Sequence, residues 1–519
     1  MIVFWILLAS LLPLSLADVW NNLRLPTEHI PYFFYNNIIL RNECKNDPTC
    51  PYKVIEKFHK CWGYESLCPE RLRMNTPQCP VDAPRGWVRT REEQSLKFWQ
   101  QGDFGYLKER KEEMQTFCKP RDPEGAMLEC SKFARYCRAK NIYIDFSDLK
   151  VDMLGQSKRY REDVFSEGQI GGYCDFDADA FSKESEHKSP LQSWYAELEK
   201  YTQLSSDPFE EKTCEVIIDK PTIFIKLDAG VNMYHHFCDY INLYLSQHMN
   251  NSFSTDVYIV MWDTSPMHYG DFFHVTWKAF SDHEIVPLKE YDGKKVCFKD
   301  VVFSFLARMR YGLYYNMPLI PGCQGSSFFR AFNQHILHRL NITQDGPLLD
   351  KVRITLLSRS TKFRKILNED ELVTALKSVD DYKVQVVDFN YKTPFLEQLQ
   401  VTYNSDFFIG MHGAGLTHVL FQPDWAVLFE IYNCEDKDCY KDLAALRGAH
   451  YMTWSNQDKI TQEDEGHHPT LGAHAKFTNY AFDVDEFLHK VREGVKHIKQ
   501  HWGFRQARRL RASLIKDEL

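Results

Sequence analysis

Four polar residues recur at three- or four-residue intervals in one stretch of the chain: Asn232, His235, Asp239 and Asn242. That spacing places them on one helical face. A histidine and a carboxylate at i and i+4 can serve as a base and the group that orients it. With ordinary pKa values of about 6.5 for His and about 3.9 for Asp, either can accept a proton near neutral pH. The same pattern suits a capped helix with a satisfied polar seam, and spacing alone leaves both readings open. A second candidate is the loop Met411–His418, MHGAGLTH, which follows a buried-strand pattern and opens a helix. Gly413 and Gly415 would let backbone N–H groups approach a phosphate, whose charge a helix N-terminus favours. The third glycine of G-x-G-x-x-G is missing, and His418 stands in its place, which counts against a dinucleotide fold. The plainer alternative is a tight strand-to-helix turn.

Arg359 and Arg364 follow the strand pattern just before this unit and should emerge on the same sheet edge as the glycines. A guanidinium fork matches a diphosphate, although a solvated basic loop has the same composition. His412, beside the glycines, is a rival for the base. Acidic D-x-D pairs occur at Asp175/Asp177, Asp177/Asp179 and Asp483/Asp485, with Asp282-His283-Glu284 as a near match. Two carboxylates can hold Mg²⁺ or Mn²⁺ with a nucleotide diphosphate, but most such pairs are solvated loops. There is no H-E-x-x-H and no G-x-S-x-G, so the usual zinc-protease and serine-hydrolase signatures are absent.

The elements that must position these groups change along the chain. Residues 18–215 read as an irregular, cysteine-rich region with helical stretches such as Glu92–Cys118. Within 216–350 a strand near Thr222–Leu227, a helix over Asn232–His248 and a strand over Asp256–Trp262 follow one another. Within 351–480 strands and helices alternate regularly, and 481–519 reads as a C-terminal helix. Strand–helix–strand repeats with short loops imply α/β architecture with parallel, doubly wound sheets, here two such domains facing a cleft. Ligands then sit at the carboxyl ends of the strands.

The 519 residues, 44% of them hydrophobic, suit two to four folded domains. A net charge of −8 argues against a nucleic-acid partner. Ile2–Ala17 is an apolar run too short to span a bilayer, with a small-residue cleavage site at Ser15-Leu16-Ala17. We read residues 1–17 as a signal peptide and expect no transmembrane span. The terminal Lys516-Asp517-Glu518-Leu519 is the retention signal read by the KDEL receptor of the endoplasmic reticulum lumen. Fifteen cysteines suit disulfides in that oxidising compartment, with at least one thiol left over and the pairing not readable. Asn250-Asn251-Ser252 and Asn341-Ile342-Thr343 are glycosylation acceptors, expected at the surface.

Six segments carry a resemblance: DAGVNMYHHFCD (228–239), RMRYGL (308–313), MHGAGLTH (411–418), FQPDW (421–425), YNCED (432–436) and GHHPTLG (466–472). The chain resembles glycosyltransferase family sixty-one, and within it the luminal enzymes that modify EGF-like domains. The resemblance implies a GT-B-like fold with two Rossmann-like domains facing a cleft. Residues 216–350 would form the acceptor side and 351–480 the nucleotide-sugar domain. It implies inverting transfer of N-acetylglucosamine from UDP-GlcNAc to Ser or Thr of a folded EGF-like domain. No obligatory cofactor is implied, and Mn²⁺ is permitted. From their spacing and loop positions, not from the resemblance, His235 and Asp239 are the expected catalytic pair, and Asn232, Arg359, Arg364, His412, Gly413 and Gly415 are expected to bind substrate. The family's Asp-Tyr-Asp activity motif stands here as Asp282-His283-Glu284. A non-catalytic luminal lectin or chaperone on the same fold is the alternative reading.

Overall fold

A computed structural model describes residues 20, 22–53, 60–74, 77–83, 88–151, 159–266, 270–308, 313–315 and 319–517. The expected signal peptide and the last two residues of the expected retention signal lie outside the described residues, as do positions 309–312 of the RMRYGL segment. No helix among the described residues is long and apolar enough to cross a membrane.

The first half is built on strands β1 (Cys137–Asp145), β2 (Thr222–Ile225), β3 (Tyr258–Met261), β4 (Val286–Pro287) and β5 (Lys295–Phe303). Their order across the sheet is β4-β3-β2-β5-β1. Strands β2 to β5 are parallel, whereas β1 joins β5 antiparallel. Beyond β1 the sheet continues through Met127–Cys130, Gln115–Pro120 and Cys174–Phe176. The change of texture at residue 215 is therefore not an edge of the sheet, because β1 pairs with β5 across it at eight positions, from Cys137 opposite Phe303 to Asp145 opposite Lys295. The Glu92–Cys118 stretch is also corrected: helices run over Arg91–Gly102 and Phe104–Glu112, and Cys118 lies in a strand. The break falls at Asp103, whose extended backbone ends one helix and whose carboxylate caps the next.

Helix α1 (Met233–Asn250) connects β2 to β3. It begins where the Asn232 side chain accepts from the Tyr234 amide, and it ends on Asn251 in the left-handed region. Almost every α1 residue is buried, because the helix lies between its own sheet and the second half. Phe237 meets Phe395 and Phe421 of that half at ring distances of 5.7 and 5.3 Å.

The second half is a five-stranded sheet of β6 (Val352–Leu357), β7 (Tyr382–Val387), β8 (Phe407–Gly410), β9 (Val427–Glu430) and β10 (His450–Thr453). All pairs are parallel, in the order β7-β6-β8-β9-β10. Helices α2 (Ser327–Arg339), α3 (Glu369–Lys377), α4 (Phe395–Tyr403), α5 (Cys439–Arg447), α6 (Val484–Gln500) and α7 (Trp502–Asp517) complete it. Side chains alternate across the pleat. Phe407 and Ile409 face a core closed by Phe487, Val491 and Ile498 of α6, whereas Phe408 joins the core shared with α1. The expected α/β fold with two Rossmann-like halves is the observed one.

Six disulfides form among the described residues, and Cys238, Cys434 and Cys439 are free. Cys79–Cys323 closes the longest loop, spanning 244 positions and tying the N-terminal region to the approach to α2. Replacing both cysteines by Ser should lower stability by about 2–5 kcal/mol. Denaturant titration under non-reducing conditions measures this, and an unchanged midpoint would contradict it.

Candidate active site

In each half the strand order reverses once, and the site residues follow the strands that flank the reversal. In the second sheet that point lies between β6 and β8, where ligands of doubly wound sheets bind. Arg359 and Arg364 come from the loop after β6, and His412 to Gly415 from the loop after β8. Arg364 Nη1 lies 3.0 Å and Arg359 Nη1 3.4 Å from the His412 carbonyl oxygen. The 3₁₀ helix Ala414–Phe421 starts immediately after Gly413. The expected placement of the two arginines and the glycine loop at one sheet edge is the observed one. Among the described residues no carboxylate pairs with either arginine, and the Nε of each is buried without a partner. Burial, reinforced by Arg364, pulls the Arg359 guanidinium down to about 10. Two guanidiniums without a paired carboxylate, beside a helix N-terminus, have the chemistry that suits an anion such as a diphosphate.

His412 itself is almost fully buried. Its Nδ1 lies 2.8 Å from Glu430 and its Nε2 3.7 Å from Asp436. Both ring nitrogens therefore face carboxylates of the protein, which leaves His412 poorly placed to take a proton from a substrate.

In the first sheet the reversal lies between β2 and β5. Asp228 follows β2 and Arg308 follows β5. His235 stands on the first turn of α1. Its Nδ1 lies 2.8 Å from Asp228 Oδ2, and Arg308 Nη2 lies 2.8 Å from Asp228 Oδ1. Burial pushes the Asp228 carboxyl up, but hydrogen bonds from His235 and Arg308 outweigh it and hold the group below its usual range. The His235 side chain keeps 24% of its surface exposed, whereas Asp228 keeps 3%. A partly exposed histidine whose Nδ1 faces a buried carboxylate is the arrangement of a general base and its orienter.

The helical spacing suggested a different pairing, His235 with Asp239, and the structure corrects it. Asp239 is buried behind the site. Its two oxygens accept from the Asp228 amide at 3.2 and 3.1 Å, and Oδ2 lies 3.2 Å from His236 Nδ1. Burial pushes Asp239 up to about 6. Burial alone would push His236 down, but its hydrogen bonds to Asp239 and Asp271 hold it up at about 9. Asp271 completes this row, 3.0 Å from His236 Nε2. Asn232 is the helix cap, and Asn242 is buried, donating to the Cys238 carbonyl. Asn232 therefore serves the capped helix of the plainer reading, whereas Asn242 is satisfied only through its Nδ2, its Oδ1 being buried without a partner.

Tyr234 joins the two halves. Its ring lies 5.7 Å from that of Tyr440, which lies 5.2 Å from His412. Asp228, His236, Asp271, Arg308 and Glu430 were not found by sequence reasoning. Asp228 stands directly after the β2 pattern, and Asp228, His236 and Arg308 lie inside family segments, which was the signal there was; Asp271 and Glu430 carried none.

The acidic pairs have structural duties. Asp175 binds Arg121, Asp177 caps the short helix Ala178–Ser182, and Asp483 caps α6. Asp282 accepts from Arg24 and Thr255, and His283 binds Asp256. Only Glu284 of that motif is uncommitted, so the donor set does not fit a divalent cation. The one three-ligand cluster among the described residues, Cys61, Glu65 and Cys68, has both its sulfurs in a disulfide. Of the glycosylation acceptors Asn341 is exposed and Asn250 half-buried.

Residues 233–429 match the family model Glycosyltransferase 61, a span that holds both α1 and the glycine loop. The chain is 56% identical to the EGF domain-specific O-linked N-acetylglucosamine transferase of Canis lupus familiaris, over 94% of this chain and 93% of that one. It is likewise 56% identical to the protein of that name from Mus musculus, covering 94% and 92%, and 44% identical to the one from Drosophila melanogaster, covering 96% of each. The chain belongs to the EGF domain-specific O-linked N-acetylglucosamine transferase family, within glycosyltransferase family 61.

Proposed function

We propose that this protein transfers N-acetylglucosamine from UDP-GlcNAc to a Ser or Thr hydroxyl of a folded EGF-like domain, with inversion, in the lumen of the endoplasmic reticulum. The observation that carries this reading is the opposition of two switch-point sites. An anion cradle without an acidic partner stands on one half, and an oriented His–Asp pair on the other. His235 Nε2 takes the proton as the acceptor oxygen attacks the anomeric carbon. The bond to the nucleotide breaks in the same displacement, so no second carboxylate is needed as a nucleophile. The charge that develops on the leaving diphosphate is met by Arg359, Arg364 and the 3₁₀ N-terminus. The terminal tetrapeptide, the apolar leader pattern and six disulfides support the luminal location and retention by the KDEL receptor.

The direct test incubates purified protein with UDP-GlcNAc and a folded EGF-like domain and reads the intact mass. A gain of one N-acetylhexosamine on Ser or Thr is expected, and no gain overturns the reading. Because Asp282 and His283 are already engaged within the protein, turnover should persist in excess EDTA. Complete loss in EDTA, restored by Mn²⁺, would contradict that expectation.

A further inference from the structure

The motif Asp282-His283-Glu284 lines a cavity of about 770 Å³ that neither half-site explains. Its walls include Met261 and Pro287, the last residues of β3 and β4, so it opens at the carboxyl edge of the first sheet. None of Arg359, Arg364 or the Gly413 loop lines it. The cavity is nevertheless joined to the His235 site twice. Asp271 stands in its wall and begins the row Asp271–His236–Asp239 that ends on the Asp228 amide. Asp263, also in the wall, lies 3.5 Å from Arg159, which donates to the Asp228 carbonyl at 3.1 Å. The backbone that carries the base's carboxylate is thus held from both sides by residues of this cavity.

We propose that the cavity is a second contact point for the acceptor, receiving a loop of the polypeptide whose hydroxyl His235 deprotonates. The inference rests on the acceptor being a folded polypeptide, as proposed above. A domain of about 40 residues has a radius of gyration of about 9 Å. Its hydroxyl cannot reach His235 unless the rest of the domain lies across the surrounding surface, and the cavity opens at the carboxyl edge of the sheet that carries Asp228, linked to it through Asp271, His236 and Asp239. The lining fits a loop that offers an apolar side chain beside an acidic one. Val275, Trp277 and Leu396 supply apolar surface, and Lys278 and Lys289 stand exposed at the rim. A wall that is hydrogen-bonded through to Asp228 also ties correct seating of the domain to the alignment of His235.

Two variants outside the cleft test this. Leu396→Trp fills the cavity from a side chain that is 37% exposed, and Lys278→Glu reverses the charge at its rim. Each should raise KM for the EGF-like domain by about five- to tenfold. The KM for UDP-GlcNAc and the slow hydrolysis of UDP-GlcNAc without acceptor should stay at wild-type values. On the wild-type protein, adding the domain should slow amide hydrogen exchange across 282–289, and UDP-GlcNAc alone should not. This arm is independent of how any variant folds. Unchanged acceptor KM in both variants, or no protection by the domain, overturns the proposal. A donor KM that rises in step with the acceptor KM also overturns it, by assigning the cavity to the nucleotide. Wild-type protein that hydrolyses UDP-GlcNAc yet never modifies the domain is a separate result, which removes the functional reading on which the proposal rests.

Discussion

Replacing His235 by Ala should lower turnover of an EGF-like domain by about 10²–10⁴, the usual contribution of a general base, while donor affinity stays unchanged. The reason lies in the division of labour between the halves. His235 and Asp228 belong to the first half, and the loops proposed to hold the donor belong to the second. Asp228→Asn should follow the same pattern, because the amide cannot stabilise the imidazolium that forms and can select the wrong tautomer. Asp239→Asn should behave differently. Its carboxylate touches the Asp228 backbone and His236 and not the reacting group, so the loss should include stability, with His236 left short of a counter-charge in a fully buried place. Steady-state rates with calorimetric donor binding separate the three. Near-normal turnover in His235→Ala would move the assignment to His412, despite the carboxylates that face both its nitrogens.

Gly413→Val should weaken UDP-GlcNAc binding by about 10- to 100-fold, the equivalent of about 1.5–3 kcal/mol for hydrogen bonds to a charged group. A Cβ at this position would lie 2.3 Å from Arg359 Nη1 and 3.4 Å from Arg364 Nη1, on a backbone with φ of +155°. What must yield is the end of a long side chain and not packed backbone, so the variant folds but its guanidinium is displaced from the cradle. Calorimetric titration checks the affinity and circular dichroism checks the fold. An unchanged dissociation constant in a folded variant would mean that the diphosphate lies elsewhere.

The glycine loop and the arginines were legible in the chain because each lies within a few residues of a strand pattern, and a parallel sheet delivers such loops to one edge. Helix α1 was legible for a similar reason, since its cap and its spacing are local. The identity of the base pair was not. His235 and Asp239 share a face, but the chain turns between Asp228 and Asn232, and this turn brings the Asp228 carboxylate to 2.8 Å from His235 Nδ1 at the start of the helix. A helical period carries no information about a residue outside the helix.

By itself, then, the sequence determined what depends on local periodicity and composition: the two runs of alternating strands and helices, the glycine turn, the capped α1 and the abundance of cysteine. The tertiary structure alone decided what depends on strand order. Arg308 and Asp228 are 80 positions apart and meet because β5 lies beside β2. A second, antiparallel pairing of β5 brings β1 into the first sheet from before residue 215, and a third, with Val216–Ile218, brings Cys214 to Cys297. Which strands become neighbours is settled by burial of both faces of each sheet at once, a condition on the whole chain that no window of residues contains.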